Sequence, residues 1–199
     1  MRSLAAPALL WRQTGCCGLQ QRPLIWSPSQ IGCTTLPMKD LARAIAEQAE
    51  LAAKSFYRLV LVAGPPGSGK TSAFNELHVA KGWSLLNLNK VLSERLLDLT
   101  SKQRRLRTAD IVRDLIEAQG NQTVTMLDNI GLLFHPALEQ EPLRALQMAA
   151  RNQTVVVAWQ GSFGDGKLFY AAPDHPEYRR SDTKDTLVLS TSDFGFAGA

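Results

Sequence analysis

The sequence predicts a three-layer α/β fold, in which helices cover both faces of a parallel sheet. The first observation is a set of short apolar runs that are rich in strand-forming residues. Because these runs are apolar throughout rather than alternating, they are typical of parallel strands buried on both faces. The second observation is that helical patterns separate the runs, and such alternation indicates this fold class. The predicted strands cover residues 59–63, 84–88, 123–127 and 154–159.

Two of the helices are predicted from apolar spacing and capping residues. Apolar side chains recur at helical spacing over residues 38–57, with Leu51 and Phe56 among those expected to face inward. This pattern predicts an amphipathic helix lying on the core. Asn89 is the predicted N-cap of the next helix, which carries leucines as far as Leu99.

The later helices are predicted in the same way. Thr108 is a candidate N-cap, and Gly120 is the expected end of the helix that starts there. Pro142 suits the first turn of the last helix, because its missing N–H needs no partner in that position. The dense basic cluster at 102–107 is either a solvated face or a source of phosphate contacts or arginine fingers for a partner.

Composition limits the classes of protein to which the chain can belong. Its 199 residues, 45% hydrophobic and 20% charged, suffice for one compact domain. The formal net charge is +4, but residues 1–37 contain three arginines and no acid. From Met38 onward 19 basic residues face 18 acidic ones, a net charge of +1. Overall charge therefore does not argue for nucleic-acid binding, although a local basic patch stays open.

The first 37 residues differ in kind from the rest, because they hold all three cysteines and four prolines. A transit peptide is one interpretation, but the prolines disfavour the amphipathic helix that such peptides use. We favour a native start at Met38, with residues 1–37 as a leader outside the domain. We expect the core at 38–163 and a β-rich extension at 164–199. No apolar run reaches about 18 residues, so we expect a cytoplasmic protein without a membrane span.

One glycine-rich stretch carries a chemical signal. It satisfies the pattern G-x-x-x-x-G-K-[ST], directly after the first predicted strand and before a helical pattern. Glycines let several backbone N–H groups turn toward one anion, and the helix that follows adds its positive end. The stretch predicts a phosphate-binding loop for ATP, with Lys70 at the β and γ phosphates and Thr71 on Mg²⁺. The predicted ATP-binding residues are Gly64, Pro65, Pro66, Gly67, Ser68, Gly69, Lys70 and Thr71.

Such a loop needs a second group on the metal side. Asp128 follows a predicted strand and is expected to orient the water shell of Mg²⁺. The next residue, Asn129, stands where many ATP-hydrolysing enzymes of this architecture carry a glutamate that activates water, and an amide cannot take a proton. Gln160, just past the last predicted core strand, is a candidate for sensing the γ phosphate or positioning water; the alternative is a plain loop glutamine.

The C-terminal part is expected to be short and rich in β-structure. Short strands are predicted at 168–171 and 186–189, and a turn is predicted at 164–166. Only 39 residues follow Gln160, too few for a full helical lid. The overall prediction is a P-loop NTPase with a RecA-like or AAA-like core. Arg179 and Arg180 form a second basic pair, which is either a solvated face or a source of arginine fingers for a partner.

Several strings together resemble the BrxF family, the small P-loop proteins of type 3 BREX anti-phage defence systems. The resemblance runs from about Met38 to Leu189 and implies an ATP-binding component of a bacterial complex that methylates host DNA and blocks phage replication. It implies as partners the large ATPase, the DNA methyltransferase, the helicase and the phosphatase-like protein of that system. The strings are GPPGSGKT at 64–71, LNLN at 86–89, QRRLR at 103–107, LDN at 127–129, LLF at 132–134 and HPEYRR at 175–180.

Three functions are compatible with these residues. The first is a weak or partner-stimulated ATPase that is active in an assembly, which could include self-assembly. The second is a scaffold that ATP switches and that hardly hydrolyses it, and Asn129 is the feature that separates the two. The third is a small-molecule kinase, in which the 102–107 cluster would close over phosphates, but the sequence identifies no acceptor pocket.

Overall fold

The computed structural model describes residues 36–120 and 124–195, and it confirms an α/β fold built on a parallel sheet. The helices are α1 (Leu36–Ala52), α2 (Lys70–Lys81), α3 (Leu88–Leu96), α4 (Ser101–Glu117) and α5 (Pro142–Ala149). The strands of the sheet are β1 (Leu59–Gly64), β2 (Ser84–Asn87), β3 (Val124–Asp128), β4 (Thr154–Gln160) and β8 (Leu187–Ser190). They lie in the order β2-β3-β4-β1-β8, and every neighbouring pair is parallel.

Two apolar clusters lie on opposite faces of the sheet, as a three-layer arrangement requires. On one face α1 and α2 bury Ile45 and Phe74 against alternate residues of the central strands, such as Val62. On the other face α3, α4 and α5 pack against the remaining strand residues, with Trp159 fully buried. Because β1 and β4 are buried along nearly their whole length, their apolar runs are explained by burial on both faces.

The strand register sets which residues meet at the carboxyl edge of the sheet. Gly64 at the end of β1 stands beside Gln160 at the end of β4, and Asn87 at the end of β2 stands beside Asp128 at the end of β3. Ligands of open α/β sheets bind outside this edge. The strand ends therefore bring together residues that are far apart in the sequence.

The predicted bounds of two helices were wrong. Helix α1 ends at Ala52, and the expected inward residues Leu51 and Phe56 are 53% and 68% exposed. Helix α3 starts one residue after Asn87, whose side-chain oxygen accepts from the backbone N–H of Lys90 and caps the helix. Asn89 therefore does not cap α3. Asn89 lies inside the helix, and its side chain contacts another segment by accepting from the backbone N–H of Leu132.

The start of α4 was also predicted wrongly. The helix begins at Ser101, and Thr100 and Gln103 form a reciprocal capping box at its start. Thr108 is buried in the middle of the helix, where its hydroxyl donates to the backbone oxygen of Arg104 at 2.6 Å. A threonine whose hydroxyl bonds to a backbone oxygen four residues earlier can lie inside a helix, so Thr108 is not the N-cap. As a result, the basic residues at 102–107 lie on α4 rather than before it.

The C-terminal segment contributes to two sheets. A small antiparallel sheet consists of β5 (Ser162–Gly164), β6 (Lys167–Tyr170) and β7 (Arg179–Asp182). The last strand, β8, instead joins the main sheet beside β1. The expected leader, apart from its last two residues, lies outside the described residues. No helix in the described part of the chain is long and apolar enough to cross a membrane.

Candidate functional site

The loop between β1 and α2 has the backbone shape that its glycines allow. Gly67 and Gly69 have φ values of 78° and 77°, a left-handed conformation that side chains with a Cβ disfavour. Gly69 is the N-cap of α2, so the helix begins at Lys70. The loop therefore places the first turn of a helix directly above the carboxyl end of a central strand, a position suited to binding an anion.

Lys70 is held across the loop by three hydrogen bonds. Its ammonium donates to the backbone oxygens of Gly64 and Pro65 at 2.7 Å each, and to Ser68 Oγ at 2.9 Å. The residue is only 6% exposed. Burial lowers the pKa of Lys70, while the negative charge of Asp128 partly opposes that shift. All three hydrogen-bond acceptors are neutral, so the buried positive charge has no anionic hydrogen-bond partner among the described residues.

Thr71 and Asp128 are brought together from different parts of the sequence. Thr71 Oγ1 donates to Asp128 Oδ2 at 2.8 Å, and the other carboxylate oxygen, Oδ1, accepts from the backbone N–H of Asn129 at 2.9 Å. Hydroxyl and carboxylate oxygens are the ligand types that Mg²⁺ prefers, and Mg²⁺ commonly uses only one or two protein ligands. The two residues thus fit a magnesium site, and their side chains are accessible to solvent.

The loop is also packed from below by the C-terminal segment. A Cβ on Gly64 would collide with Thr191 Oγ1 and would lie 2.7 Å from Ser68 Oγ. Thr191 follows β8 and is fully buried, and its hydroxyl is the one buried side-chain polar atom of the described residues without a hydrogen-bond partner. Thr191 could not be predicted from the sequence, because nothing in its local pattern indicates contact with Gly64, 127 positions away.

Gln160 and Asn129 lie at the border of the loop. Gln160 lines a depression with Pro65 and Pro66, and the next residue, Gly161, donates its N–H to the backbone oxygen of Gly64 at 3.1 Å. Asn129 follows Asp128 in a left-handed conformation, with φ of 57°. Neither amide side chain has a hydrogen-bond partner within residues 36–120 and 124–195.

A second, larger depression adjoins the first at Gln160. We call it the amide cleft; it is a shallow depression of about 740 Å³ that is widely open to solvent. Its polar lining includes four side-chain amides together with a tyrosine and a glutamate, namely Asn87, Asn89, Asn129, Gln160, Tyr170 and Glu177. Tyr170 and Glu177 come from the antiparallel sheet and the segment before β7. Sequence reasoning missed them because no contiguous motif joins them to the loop.

The two basic clusters differ in how far their charges are engaged. Arg104 donates to the backbone oxygens of Leu96 and Leu99 at 2.9 Å, so it completes the C-terminus of α3. Arg105 pairs with Glu139 at 2.7 Å. Within the 102–107 cluster only Arg105 is paired with an acid of the described residues, and Lys102 and Arg107 are exposed. In the other cluster Arg180 is exposed, whereas Arg179 donates to the backbone oxygen of Tyr178.

Comparison with known proteins finds distant structural similarity. No protein-family model matches the chain, and no curated protein matches it. Among solved structures the chain is similar to C. elegans PCH-2, with 17% sequence identity and a TM-score of 0.40. The match covers 79% of this chain and 42% of PCH-2, so the chain spans less than half of that protein. The resemblance to the BrxF family therefore rests on the sequence strings alone.

Proposed function

We propose that this chain is a P-loop protein that binds ATP with Mg²⁺ at the loop of residues 64–71. The observation that carries the proposal is the buried ammonium of Lys70, which is bonded only to neutral oxygens. A buried charge whose hydrogen-bond partners are all neutral is costly, and a phosphate group would supply an anionic partner. Backbone N–H groups of the left-handed loop and the start of α2 would add neutral donors to the same anion.

Thr71 and Asp128 are the residues that would hold the metal. Their oxygens already lie 2.8 Å apart at the edge of the loop. Mg²⁺ bound there would neutralise charge on the β and γ phosphates. Gln160 borders the loop from β4, where its amide could contact the γ phosphate or a water. Lys70 would thus stabilise the negative charge of the phosphates, and Asp128 would position the metal. Gln160 would orient the γ phosphate or a water.

A thermal-shift experiment tests this proposal. Mg-ATP at about 100 times its Kd adds roughly 2.7 kcal/mol to the free energy of unfolding, which raises the Tm by several degrees. Lys70→Ala should lose most of the shift between nucleotide-free and Mg-ATP samples. Lys54→Ala removes an exposed lysine of the turn after α1 and should keep the full shift. An equal shift in both variants would place the nucleotide elsewhere.

We further propose that hydrolysis by the isolated chain is slow. Asn129 provides no general base, and Glu177 is the only carboxylate among the described residues that line the two depressions. An assembly or partner would then complete the site. The exposed Arg180 is the better candidate for action across an interface than Arg179, which is already bonded. In other P-loop sites an arginine supplied in trans changes kcat by about 10³ to 10⁵.

Turnover measurements separate the ATPase from the ATP-switched scaffold. Adding a partner or raising the concentration should increase kcat, and Arg180→Ala should remove that increase without weakening Mg-ATP binding. Arg107→Ala, an exposed arginine on α4, is the matched control. If no partner or assembly state gives turnover, the scaffold is the better account. If dilute protein turns over several times per second alone, completion in trans is wrong.

For the cellular setting we propose the type 3 BREX complex in the bacterial cytoplasm, on the strength of the strings that resemble the BrxF family. The proposed partners are the large ATPase, the DNA methyltransferase, the helicase and the phosphatase-like protein of that system. Capture of these proteins with the tagged chain from a native host tests the setting. If these proteins are absent from the captured material while the chain still binds Mg-ATP, the proposed complex is wrong and the proposed nucleotide site is unaffected.

A further inference from the structure

The hydrogen bonds around the amide cleft leave it rich in donors. Asn87 Oδ1 accepts from the N–H of Lys90 at 3.2 Å, and Asn89 Oδ1 accepts from the N–H of Leu132 at 2.7 Å. Because a backbone N–H must be met by the amide oxygen, both assignments of oxygen and nitrogen are fixed. Each asparagine therefore keeps its NH₂ group unbonded among the described residues, at the border of the same cleft.

Other groups that line the amide cleft also present hydrogen-bond donors. His135 Nδ1 accepts from the N–H of Ala137 at 3.2 Å, so the neutral ring carries its proton on Nε2. The Tyr170 hydroxyl makes no hydrogen bond to any described residue, and its ring stacks on Phe134 with centroids 3.5 Å apart. Burial and the charge of Glu177 raise the pKa of Tyr170, so the hydroxyl keeps its proton at neutral pH.

Two of these donors converge on one point. A Cβ built on Gly131 would lie 3.4 Å from Tyr170 Oη and 3.5 Å from Asn89 Nδ2. The hydroxyl and the amide nitrogen thus approach the same space above Gly131 from the antiparallel sheet and from α3. Lys90 also lines the cleft and supplies a positive charge. The one carboxylate of the lining is Glu177.

We propose that the amide cleft is a second ligand site, which takes the oxyanion of a small molecule through Asn87, Asn89, Tyr170 and Lys90. Oxygen atoms with several lone pairs are the complement of a group of N–H and O–H donors, and a charged acceptor forms the stronger bonds. A phosphate and a carboxylate share this chemistry. The site goes beyond the proposed ATP site, because none of its four donors belongs to the loop of residues 64–71 or to the proposed metal ligands.

The test uses the full chain carrying Lys70→Ala, which removes the cation of the loop so that the loop does not compete for the probe. Inorganic phosphate and malonate are titrated separately, and NMR follows the side-chain NH₂ signals of Asn87 and Asn89. We expect at least one anion to shift both signals along a saturable curve. A response to phosphate alone or to malonate alone identifies the kind of oxyanion that the cleft takes.

Matched variants make the test specific. Asn89→Asp keeps an oxygen for the Leu132 N–H but replaces the NH₂ donor, so anion binding should weaken about tenfold or more, equivalent to about 1.4 kcal/mol. Asn75→Asp on α2 adds the same charge on an exposed surface and should change the affinity little. Tyr170→Phe keeps the ring for stacking and should also weaken binding. Glu177→Gln removes the opposing charge and should tighten it.

The outcomes separate this proposal from the proposed function. If neither anion shifts the two asparagine signals, or if Asn89→Asp and Asn75→Asp bind the anion equally well, the second site is wrong. Should Lys70→Ala not fold, the same titration on the wild-type chain with Asn89→Asp as comparison decides the matter. If Mg-ATP does not raise the Tm of the wild type while the asparagine signals still respond to the anion, only the proposed nucleotide site is wrong.

Discussion

The loop of residues 64–71 and the amide cleft lie side by side at the carboxyl edge of the sheet, but they are built in opposite ways. In the loop the charged groups are already engaged, since Lys70 makes three hydrogen bonds and Thr71 is bonded to Asp128. In the cleft the amide oxygens of Asn87 and Asn89 are engaged, and their NH₂ groups are left open. Gln160 borders both regions.

The difference teaches where each region can tolerate change. At Gly64, where Thr191 packs beneath the loop, there is no space for an added atom, whereas the open cleft has room above Gly131. Preorganised charge also carries a cost in the ligand-free protein, because the burial that positions Lys70 disfavours its charged form. The cleft carries little of this cost, because most of its lining groups are neutral and accessible.

The largest expected effect comes from adding one methyl group to a glycine in each region. Gly64→Ala puts a Cβ into Thr191 Oγ1 and against Ser68 Oγ, so the free energy of unfolding should fall by about 2 kcal/mol or more. Gly131→Ala meets only ordinary contacts at 3.4 and 3.5 Å and should fold with nearly unchanged stability. Chemical denaturation of both variants measures the difference.

The same pair separates the two ligand responses. Gly131→Ala should retain the Mg-ATP shift of the wild type but bind the anion of the amide cleft less well, because its methyl group lies between two donors. If Gly131→Ala destabilises the protein as much as Gly64→Ala does, the contrast in packing between the regions is not real.

The sequence predicted the loop region well because its residues are contiguous. The β1 strand, the loop and the start of α2 follow one another, so local rules on burial and glycine conformation suffice. Asp128 was singled out because a polar residue ends an apolar strand; the structure places it beside Thr71, and its role at a metal stays a prediction. The amide cleft gathers residues from position 87 to position 177, and only the strand order and the antiparallel sheet bring them together. No local rule reaches across that distance.

Capping shows a second limit of sequence reasoning. Thr108 followed by Asp110 has the pattern of a helix start. The helix in fact begins at Ser101, where Thr100 and Gln103 form the capping box, and the basic residues at 102–107 belong to it. In the same way Asn89 has the residue type of a cap, yet its side chain contacts Leu132 instead. Residue type narrows the candidates for a cap, and tertiary contacts choose among them.

A smaller effect is expected at Thr191, the residue beneath the loop. Thr191→Val keeps the shape of the side chain and removes a buried hydroxyl that has no partner within the described residues. Since an unsatisfied buried hydroxyl costs about 1 to 3 kcal/mol, the variant should be more stable than the wild type by about 1 kcal/mol. Urea denaturation measures the change. Equal or lower stability would mean that the hydroxyl has a partner in solution, such as a water.

The smallest effect is a difference in how stability depends on alkaline pH. The pKa of Lys70 is lowered from its ordinary value of 10.5, so the native state releases that proton before the unfolded state does. Between the lowered pKa and pH 10.5 the unfolded state binds more protons, and the free energy of unfolding therefore rises with pH. The pKa of Tyr170 is raised from 10.0, so its contribution is complete below pH 10 and is lost as pH rises through the raised pKa.

These opposite signs assign each slope to one region. Lys70→Met should flatten the rise in stability that precedes pH 10.5, and Tyr170→Phe should flatten the fall above pH 10. Urea denaturation of both variants and the wild type at a series of pH values from 8 to 11 provides the comparison. Because Mg-ATP places negative charge beside Lys70, it should raise the pKa of that ammonium and suppress the rise in the wild type, while leaving the fall due to Tyr170 in place. If Mg-ATP instead abolishes the fall and leaves the rise, the nucleotide acts on the amide cleft, and the roles of the two regions must be exchanged.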